Sequence, residues 1–346
     1  MGQTSRHYMA NLFKKAMVIT DLHFGGKSNS SIHNEDCTAF VHWATAEAKK
    51  QGCETCIMMG DWHNHRASIN ITTLNYSINA IEHLSQNFET VYFIPGNHDI
   101  YYRERRDVTS LAWAKHLPNV IIVNDGIMKK GDVAIVPWLI PGDHKKLHKV
   151  HAKYMFGHFE LPNFLMNAKV AMPDHGEVSV DDFAGVESVF SGHFHIRQHK
   201  ANVIYIGNAF PHNYGDAWDD ARGMMLLEWG EKPEFIPWPE APKYRTMMLS
   251  QLLEDPDKHL DDRTYMRVTL DKDVSYEEAN FVKETFISKY GCRELGLIED
   301  KSNITNVDIT SEIKFESVDQ IVCEQLLRFQ SDVIDNKLLL EIYRNL

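Results

Sequence analysis

No stretch of this chain stays apolar for anything near the ~20 residues a membrane-spanning helix needs. The first sixteen residues, with Arg6, Lys14 and Lys15, lack the apolar core of a signal peptide. A soluble, intracellular, cytoplasmic protein is therefore expected, with residues 1–15 as a loose extension. Cysteine is scarce and odd in number, 5 in 346 residues, which argues against a disulfide framework. Cys53 and Cys56 form a C-x-x-C pair, but there is no second pair and Cys56 opens an apolar strand, so two buried thiols are expected. Positive charge is also short: 36 Lys and Arg against 48 Asp and Glu leave −12. That excludes a protein that coats nucleic acid by bulk electrostatics, though not DNA as a substrate, because a metal centre adds local positive charge. Finally, the P-loop pattern G-x-x-x-x-G-K-[ST] does not occur, so an ATP-driven step would come from another chain.

What the chain does have is a repeated plan. The stretch Val91-Tyr92-Phe93-Ile94 reads as a buried strand that Pro95 and Gly96 stop abruptly, presenting Asn97, His98 and Asp99. The same plan recurs at Met17 to Thr20 before Asp21 and His23, and at Cys56 to Met59 before Gly60 and Asp61. It returns at Tyr154 to Phe156 before Gly157 and His158, and at Ser188 to Phe190 before Gly192, His193 and His195. With 19 histidines in the chain, any single one is more often a surface or core residue than a ligand. D-x-H, G-D, G-N-H-D, G-H and G-H-x-H, in this order and each after an apolar strand, are not a chance pattern.

Between these ends, helices are expected over 35–51, with Phe40, Ala44 and Ala48 on one face, and over 72–87, with Leu74, Ile78, Ile81 and Leu84. A short helix is expected over 108–116. Further strands are expected over 120–123, 133–136, 203–206 and 224–228. Strands and helices alternate early and strands dominate later, so the fold class is α/β, two packed β-sheets flanked by helices, with the ligand-bearing ends along one edge. Pro233, Pro237, Pro239 and Pro242 mark an extended linker and a boundary near 240. The expected domains are thus 16–240, a small α+β capping domain over 241–315 (strand 265–270, helix 276–290, strand 304–309), and a helical tail over 316–346. The tail's apolar residues, including Leu338, Leu339 and Leu340, either pack on their own domain or dock a partner chain.

Aspartate and histidine, with asparagine as a neutral oxygen donor, form an environment that suits Mn²⁺, Fe²⁺ or Zn²⁺ better than an all-oxygen Mg²⁺ site. A two-metal centre needs a bridging carboxylate. Asp61 is the candidate, flanked by Asp21, His23 and His195 on one side and by Asn97, His158 and His193 on the other. Such a pair of ions suits phosphate ester hydrolysis.

Asp21-Leu22-His23, Gly60-Asp61, Gly96-Asn97-His98-Asp99, Gly157-His158 and Gly192-His193-Phe194-His195 resemble the five signatures of the calcineurin-like metallophosphoesterases, over about residues 16–230. Within that superfamily the chain is similar to the nuclease subunit of double-strand-break repair complexes, the SbcD and meiotic-recombination-eleven type, especially the short phage recombination nucleases. Val203-Ile204-Tyr205-Ile206-Gly207, Asp219-Asp220-Ala221-Arg222-Gly223 and Ile135-Val136-Pro137-Trp138 narrow it.

The resemblance implies a four-layer sandwich and two Mn²⁺ per chain, with Mg²⁺, Fe²⁺ or Zn²⁺ as alternatives. One ion would be held by Asp21, His23, Asp61 and His195, the other by Asp61, Asn97, His158 and His193. It implies that His98 contacts the scissile phosphate and helps the leaving 3′ oxygen, with Asp99 fixing its tautomer. It also implies a Mn-dependent DNA exonuclease or endonuclease in repair or recombination, a homodimer, and an SMC-like ABC ATPase partner of the SbcC type. If the chain is phage-encoded, it would work in the host-cell cytoplasm.

One departure concerns the histidine that family members commonly carry three residues after the bridging aspartate. Here that position is Asn64, flanked by His63 and His65, either of which could substitute. The loop after Gly207, Asn208-Ala209-Phe210-Pro211, also departs, and no functional residue is expected from it. Tyr101, Arg103, Arg105 and Arg106 are candidate DNA-backbone contacts, whereas the basic run from Lys145 to Lys153 reads equally as a solvated face. Two other functions remain open: a metallophosphatase or phosphodiesterase on a small nucleotide or phosphoprotein, and a mainly structural DNA-tethering subunit.

Overall fold

The computed structural model describes residues 11–166, 170–176, 178–272 and 274–299. The chain divides into two compact units, 1–299 and 300–346. The strand expected over 304–309 and the helical tail lie outside the described residues.

The strands in chain order are β1 (Lys15–Ile19), β2 (Thr55–Met58), β3 (Thr90–Phe93), β4 (Val120–Ile122), β5 (Met128–Lys130), β6 (Val133–Val136), β7 (Ala152–His158) and β8 (Val186–Gly192). They continue with β9 (Gln198–Lys200), β10 (Val203–Tyr205), β11 (Gly223–Glu228), β12 (Glu234–Pro237), β13 (Lys243–Met248), β14 (Thr264–Leu270) and β15 (Glu294–Glu299). One six-stranded sheet runs β12-β11-β1-β2-β3-β4 and the other β5-β6-β7-β8-β10-β9. β1 to β4 are mutually parallel, as are β6, β7, β8 and β10, and β12, β5 and β9 close their edges by antiparallel pairing, whereas β4 ends its sheet in parallel.

Strand composition explains the layering. β2 is buried on both faces, as an interior parallel strand must be. Its Ile57, with Val18, Tyr92, Met225 and Leu227, faces Ile135, Tyr154, Phe156 and Phe190 of the other sheet in a shared apolar layer. The opposite faces of β1 and β2, through Met17, Ile19 and Met58, pack on Phe40, Val41 and Ala44 of the Ser31–Lys50 helix and on Ile81 and Leu84 of the Ile71–Asn87 helix. Behind the second sheet, Met155 and Val189 meet Leu147 and Phe183, which come from short helical turns at His144–Leu147 and Val180–Phe183. The expected four-layer sandwich is borne out, with a thin fourth layer.

The Ser31–Lys50 helix starts four residues before its expected beginning because Ser30 accepts a hydrogen bond from the His33 N–H and caps it. Residues 112–116 form only a 3₁₀ turn. The prolines after 230 do not make a linker. Glu234–Pro237 is an edge strand on β11, where a proline's missing N–H is tolerated, and Trp238 is buried against Phe40 and Phe210. Among the described residues the four cysteines, Cys53 and Cys56 included, are buried free thiols.

β13, β14 and β15 form a small parallel sheet covered by the Tyr276–Tyr290 helix, which Ser275 and Glu278 cap reciprocally. The strands β13 and β15 were not expected from the sequence. This sheet joins the main body through Arg293, whose guanidinium pairs with Asp36 at 2.6 Å, and through Lys27, whose ammonium lies 3.7 Å from the centre of the Tyr265 ring.

Candidate metal centre

The parallel strands of both sheets deliver their carboxyl ends to one edge. β1 leads to Asp21 and His23, β2 to Asp61, β3 to Asn97 and His98, β7 ends in His158, and β8 leads to His193 and His195. The turn residues are under backbone constraint: Asp21, His23, Asp61 and His193 all have left-handed φ, between 54° and 88°, a conformation that costs a non-glycine residue about 1–3 kcal/mol and clusters at functional sites. Glycines let the loops approach. A Cβ on Gly60 would stand 2.4 Å from the His158 ring, and one on Gly192 would stand 2.1 Å from Thr20 Oγ1.

Asp61 is nearly inaccessible. Its Oδ1 accepts the His98 main-chain N–H at 2.9 Å. Its Oδ2 lies 3.7 Å from His23 Nε2 on one side and 3.4 Å from His158 Nε2 on the other. Asp21 Oδ2 accepts from Thr20 Oγ1 at 2.6 Å and the His193 N–H at 3.0 Å. That leaves Oδ1, 3.7 Å from both His23 Nε2 and His195 Nε2. Two donors on one ion at about 2.1 Å each stand roughly 3–3.5 Å apart, close to these separations. Asn97 Oδ1 lies 3.1 Å from His158 Nε2 and 3.2 Å from His193 Nδ1. The seven expected ligands are thus linked in one cluster, with Asp61 Oδ2 between His23 and His158.

Hydrogen bonds fix several tautomers, because a carbonyl only accepts. His158 Nδ1 donates to Met59 O at 2.7 Å, so Nε2 is the nitrogen turned to Asp61 and Asn97. His98 Nδ1 donates to the main-chain carbonyl of Asn64 at 2.6 Å. The expected Asp99 contact to His98 is not made. Asp99 instead accepts the main-chain N–H groups of Trp62, His63 and Gly96 at 3.0–3.2 Å, because the tight turn from Gly96 aims its carboxylate back into the loop after β2. Asp99 is a buttress, and Asn64 orients His98.

The electrostatics favour bound positive charge. Burial works to raise the Asp61 carboxyl pKa, but the imidazole of His158 outweighs it and holds the group well below the carboxylate range. Burial likewise opposes a proton on His158, and the Asp61 charge overcomes it, raising that imidazole to about 9. Burial dominates at His195, which falls to about 4. Several buried atoms have no partner: Asp21 Oδ1, both ring nitrogens of His23, and Nε2 of His212. Buried polar atoms are normally bonded, and a divalent cation satisfies such donors together. The residues fit the metal pair that the motifs imply.

No protein-family model matches the chain. Over 233 residues, 64% of this chain and 67% of the relative, it is 28% identical to "Exonuclease subunit 1" of Enterobacteria phage T4. The resemblance read from the motifs stands. A solved structure, a dimetal phosphatase from Danio rerio, covers 62% of this chain and 92% of its own, at 10% identity and a TM-score of 0.37, too slight a likeness to add weight.

Of the two histidines that could replace the one missing at 64, neither joins the cluster. His63 is buried, with one ring nitrogen on Ser110 Oγ and the other on Ser77 Oγ, both at 2.8 Å, and burial lowers its pKa to about 3. His65 is exposed beside the Asn64 amide. Among the candidate DNA contacts, Tyr101, Arg103 and Arg105 are exposed. Arg105 stacks on Tyr102 and pairs with Asp107 at 3.1 Å. Arg106 is a correction: it is buried, held by Asp143 at 2.5 Å and by the carbonyls of Asn124 and Trp138, so it braces the loop and does not face solvent. In the basic run, Lys146 and Lys153 pair with Asp143 and Glu187.

Sequence reading missed Glu160, whose Oε2 sits 3.1 Å from His193 Nε2, and Arg66, whose guanidinium donates to the Asn97 carbonyl at 2.6 Å. It also missed His212, 5.5 Å from His23 and 5.3 Å from His195 between ring centres. The signal for His212 was present: Val203 to Ile206 followed by Gly207 is a sixth apolar strand ending in glycine.

Proposed function

We propose that this chain is a metal-dependent DNA nuclease that hydrolyses phosphodiesters with two divalent cations. The observation that carries the reading is Asp61 Oδ2, one buried oxygen between His23 on one side and His158 on the other. The relative's name, an exonuclease subunit, supports a nucleic acid as the substrate, and DNA follows from the resemblance read in the motifs. Asp21, His23, Asp61 and His195 would hold one cation, and Asp61, Asn97, His158 and His193 the other, with Mn²⁺ the first choice for this mixed nitrogen and oxygen set. When bound, the cations supply Lewis-acid charge to the phosphate and make an attacking water more acidic.

The chain's own groups do the rest. Asn64 O holds the His98 ring by Nδ1–H; Nε2 would take a second proton from solvent and give it to the leaving 3′ oxygen as the water's oxygen bonds to phosphorus, the water's own proton passes to solvent and the P–O3′ bond breaks. Arg66 and Glu160 steady Asn97 and His193. Arg103 and Arg105, with Tyr101, offer a rim for the DNA backbone, so selectivity should follow DNA structure and not base sequence. Residues 241–315 would act as the small capping and DNA-binding segment, and residues 316–346 would bind an SMC-like ABC ATPase. A homodimer acting in repair or recombination completes the proposal.

The test is cleavage of end-labelled single- and double-stranded DNA with Mn²⁺, beside His98→Ala, Asp61→Ala and a small chromogenic phosphodiester. The reading expects both variants to lose DNA cleavage, with metal occupancy kept only in His98→Ala. Cleavage of the small diester alone, even with an ATPase partner added, would move the assignment to a small-substrate phosphoesterase.

A further inference from the structure

We propose that His212 is a further metal ligand on the Asp21, His23 and His195 side of the centre, a third imidazole that makes this half nitrogen-rich. The inference rests on the metal-centre reading above and extends it to a residue that none of the five motifs contains.

Three observations converge. One ring nitrogen each from His23, His195 and His212 lie within 4.8 Å of one another. His212 is 9% exposed, yet its Nε2 has no hydrogen-bond partner. The ring is also held in place from behind. The His212 main-chain N–H donates to Asp216 Oδ2 at 2.8 Å, Asp216 pairs with Arg222 at 3.1 Å, and Arg222 in turn bonds Asn208 and Asp219. Phe210 packs edge-on against the ring at 4.9 Å and His33 at 5.3 Å.

The ordinary reading, a core histidine, fails on comparison with two neighbours. His63 spends both nitrogens on serine hydroxyls, and His33 donates Nε2–H to the His23 carbonyl at 2.9 Å. A histidine serving the core finds such partners. His212, 9% exposed against 1% for His63 and 3% for His33, leaves its Nε2 unpartnered, and one of its ring nitrogens lies within 4.8 Å of a ring nitrogen of each of two other imidazoles. A neutral imidazole in that setting is a ligand for a first-row cation. Three imidazoles with the Asp21 and Asp61 oxygens would favour Co²⁺, Zn²⁺ or Fe²⁺ over Mg²⁺ more strongly than the half built on Asn97, Asp61, His158 and His193, which offers two imidazoles.

The experiment is calorimetric titration of the full chain with Co²⁺, together with proton NMR of the Co²⁺-loaded protein to count paramagnetically shifted, solvent-exchangeable imidazole N–H signals. The wild type should bind two Co²⁺. His212→Gln should weaken one of them on the order of 10–100-fold, leave the other unchanged and lose one shifted signal. His212→Asp, which returns an oxygen donor, should regain Mn²⁺ binding without the Co²⁺ preference. Two Co²⁺ bound by His212→Gln with wild-type affinities and every shifted signal kept would overturn the proposal. If His212→Gln melts below the wild type in EDTA, the wild-type spectrum decides: three shifted imidazole signals on one ion support the ligand, and two overturn it. A wild type that binds no Co²⁺ would instead overturn the metal-centre reading itself.

Discussion

The two sides of the centre are built differently. On the Asn97, His158 and His193 side each donor is positioned by a second bond: His158 by the Met59 carbonyl, His193 by Glu160, and Asn97 through Arg66 at its own carbonyl. On the Asp21, His23 and His195 side, His23 has neither ring nitrogen bonded and Asp21 keeps one free oxygen. The first side is organised by hydrogen bonds before any cation arrives. On the second, the bonds to Asp21 Oδ2 hold one carboxylate oxygen, the His23 ring is held by packing, and a cation is what satisfies the remaining donors, so its cohesion should depend more on metal.

The most severe way to break this comparison is to remove the group that both sides share. Asp61→Ala should lower DNA cleavage by more than about 10³-fold, beyond the 10²–10³ of a single electrostatic contact, because it serves both ions. Calorimetry should then find neither side binding normally, and one side surviving intact would refute the bridge. Next in size, chelation should remove about 2.7 kcal/mol of stability relative to protein held at a hundredfold excess over the metal dissociation constant. It should raise hydrogen exchange more in the loop 20–26 than at the end of β7. Equal loss at both places would erase the contrast drawn here.

Glu160→Gln should sharpen it. Removing the carboxylate beside His193 should weaken one ion about 10–100-fold and leave the other as it was, read as one shifted step in a two-step calorimetric titration. The smallest effect is a slope. His63 takes a proton at about 3 in the fold against 6.5 for the free side chain, so as pH falls from 6.5 toward 3 the unfolded chain is protonated and the fold is not. Stability from this group is complete above pH 6.5 and declines by about 1.4 kcal/mol per pH unit below it. His63→Phe should flatten that decline between pH 6 and 4 in urea titrations, even though it forfeits two serine hydrogen bonds. An unchanged slope would show that His63 does not titrate between fold and unfolded chain.

Much of this was legible in the sequence, for a physical reason. Parallel strands buried on both faces must be continuous apolar runs, and chemistry at their ends must follow a turn, so each run followed by glycine and a polar residue marks both fold and site. Asp61, Asn97 and His158 were readable on that ground. Short-range rules failed where partners were distant. Asp99 was assigned to its neighbour His98, whereas its carboxylate reaches residues 62 and 63 across the fold. Arg106 counted as one of three arginines, and only the position of Asp143 shows that it points inward. The prolines before 240 hid an edge strand, because proline is permitted there and periodicity over four residues is too short to see. His212 stands five residues beyond its glycine, farther than any motif ligand, so spacing alone did not connect it.

The carbonyl of Asn64 deserves a last consequence. The group that sets the His98 proton belongs to the main chain, which every amino acid supplies. Position 64 can therefore vary without disturbing that proton, and an asparagine there is no sign that the acid is missing. A catalogue of invariant side chains would pass over this contact. Selection would act on it only through the path of the backbone, by way of the N–H groups at 62 and 63 that Asp99 grips. What is inherited here is a course of the chain rather than a letter.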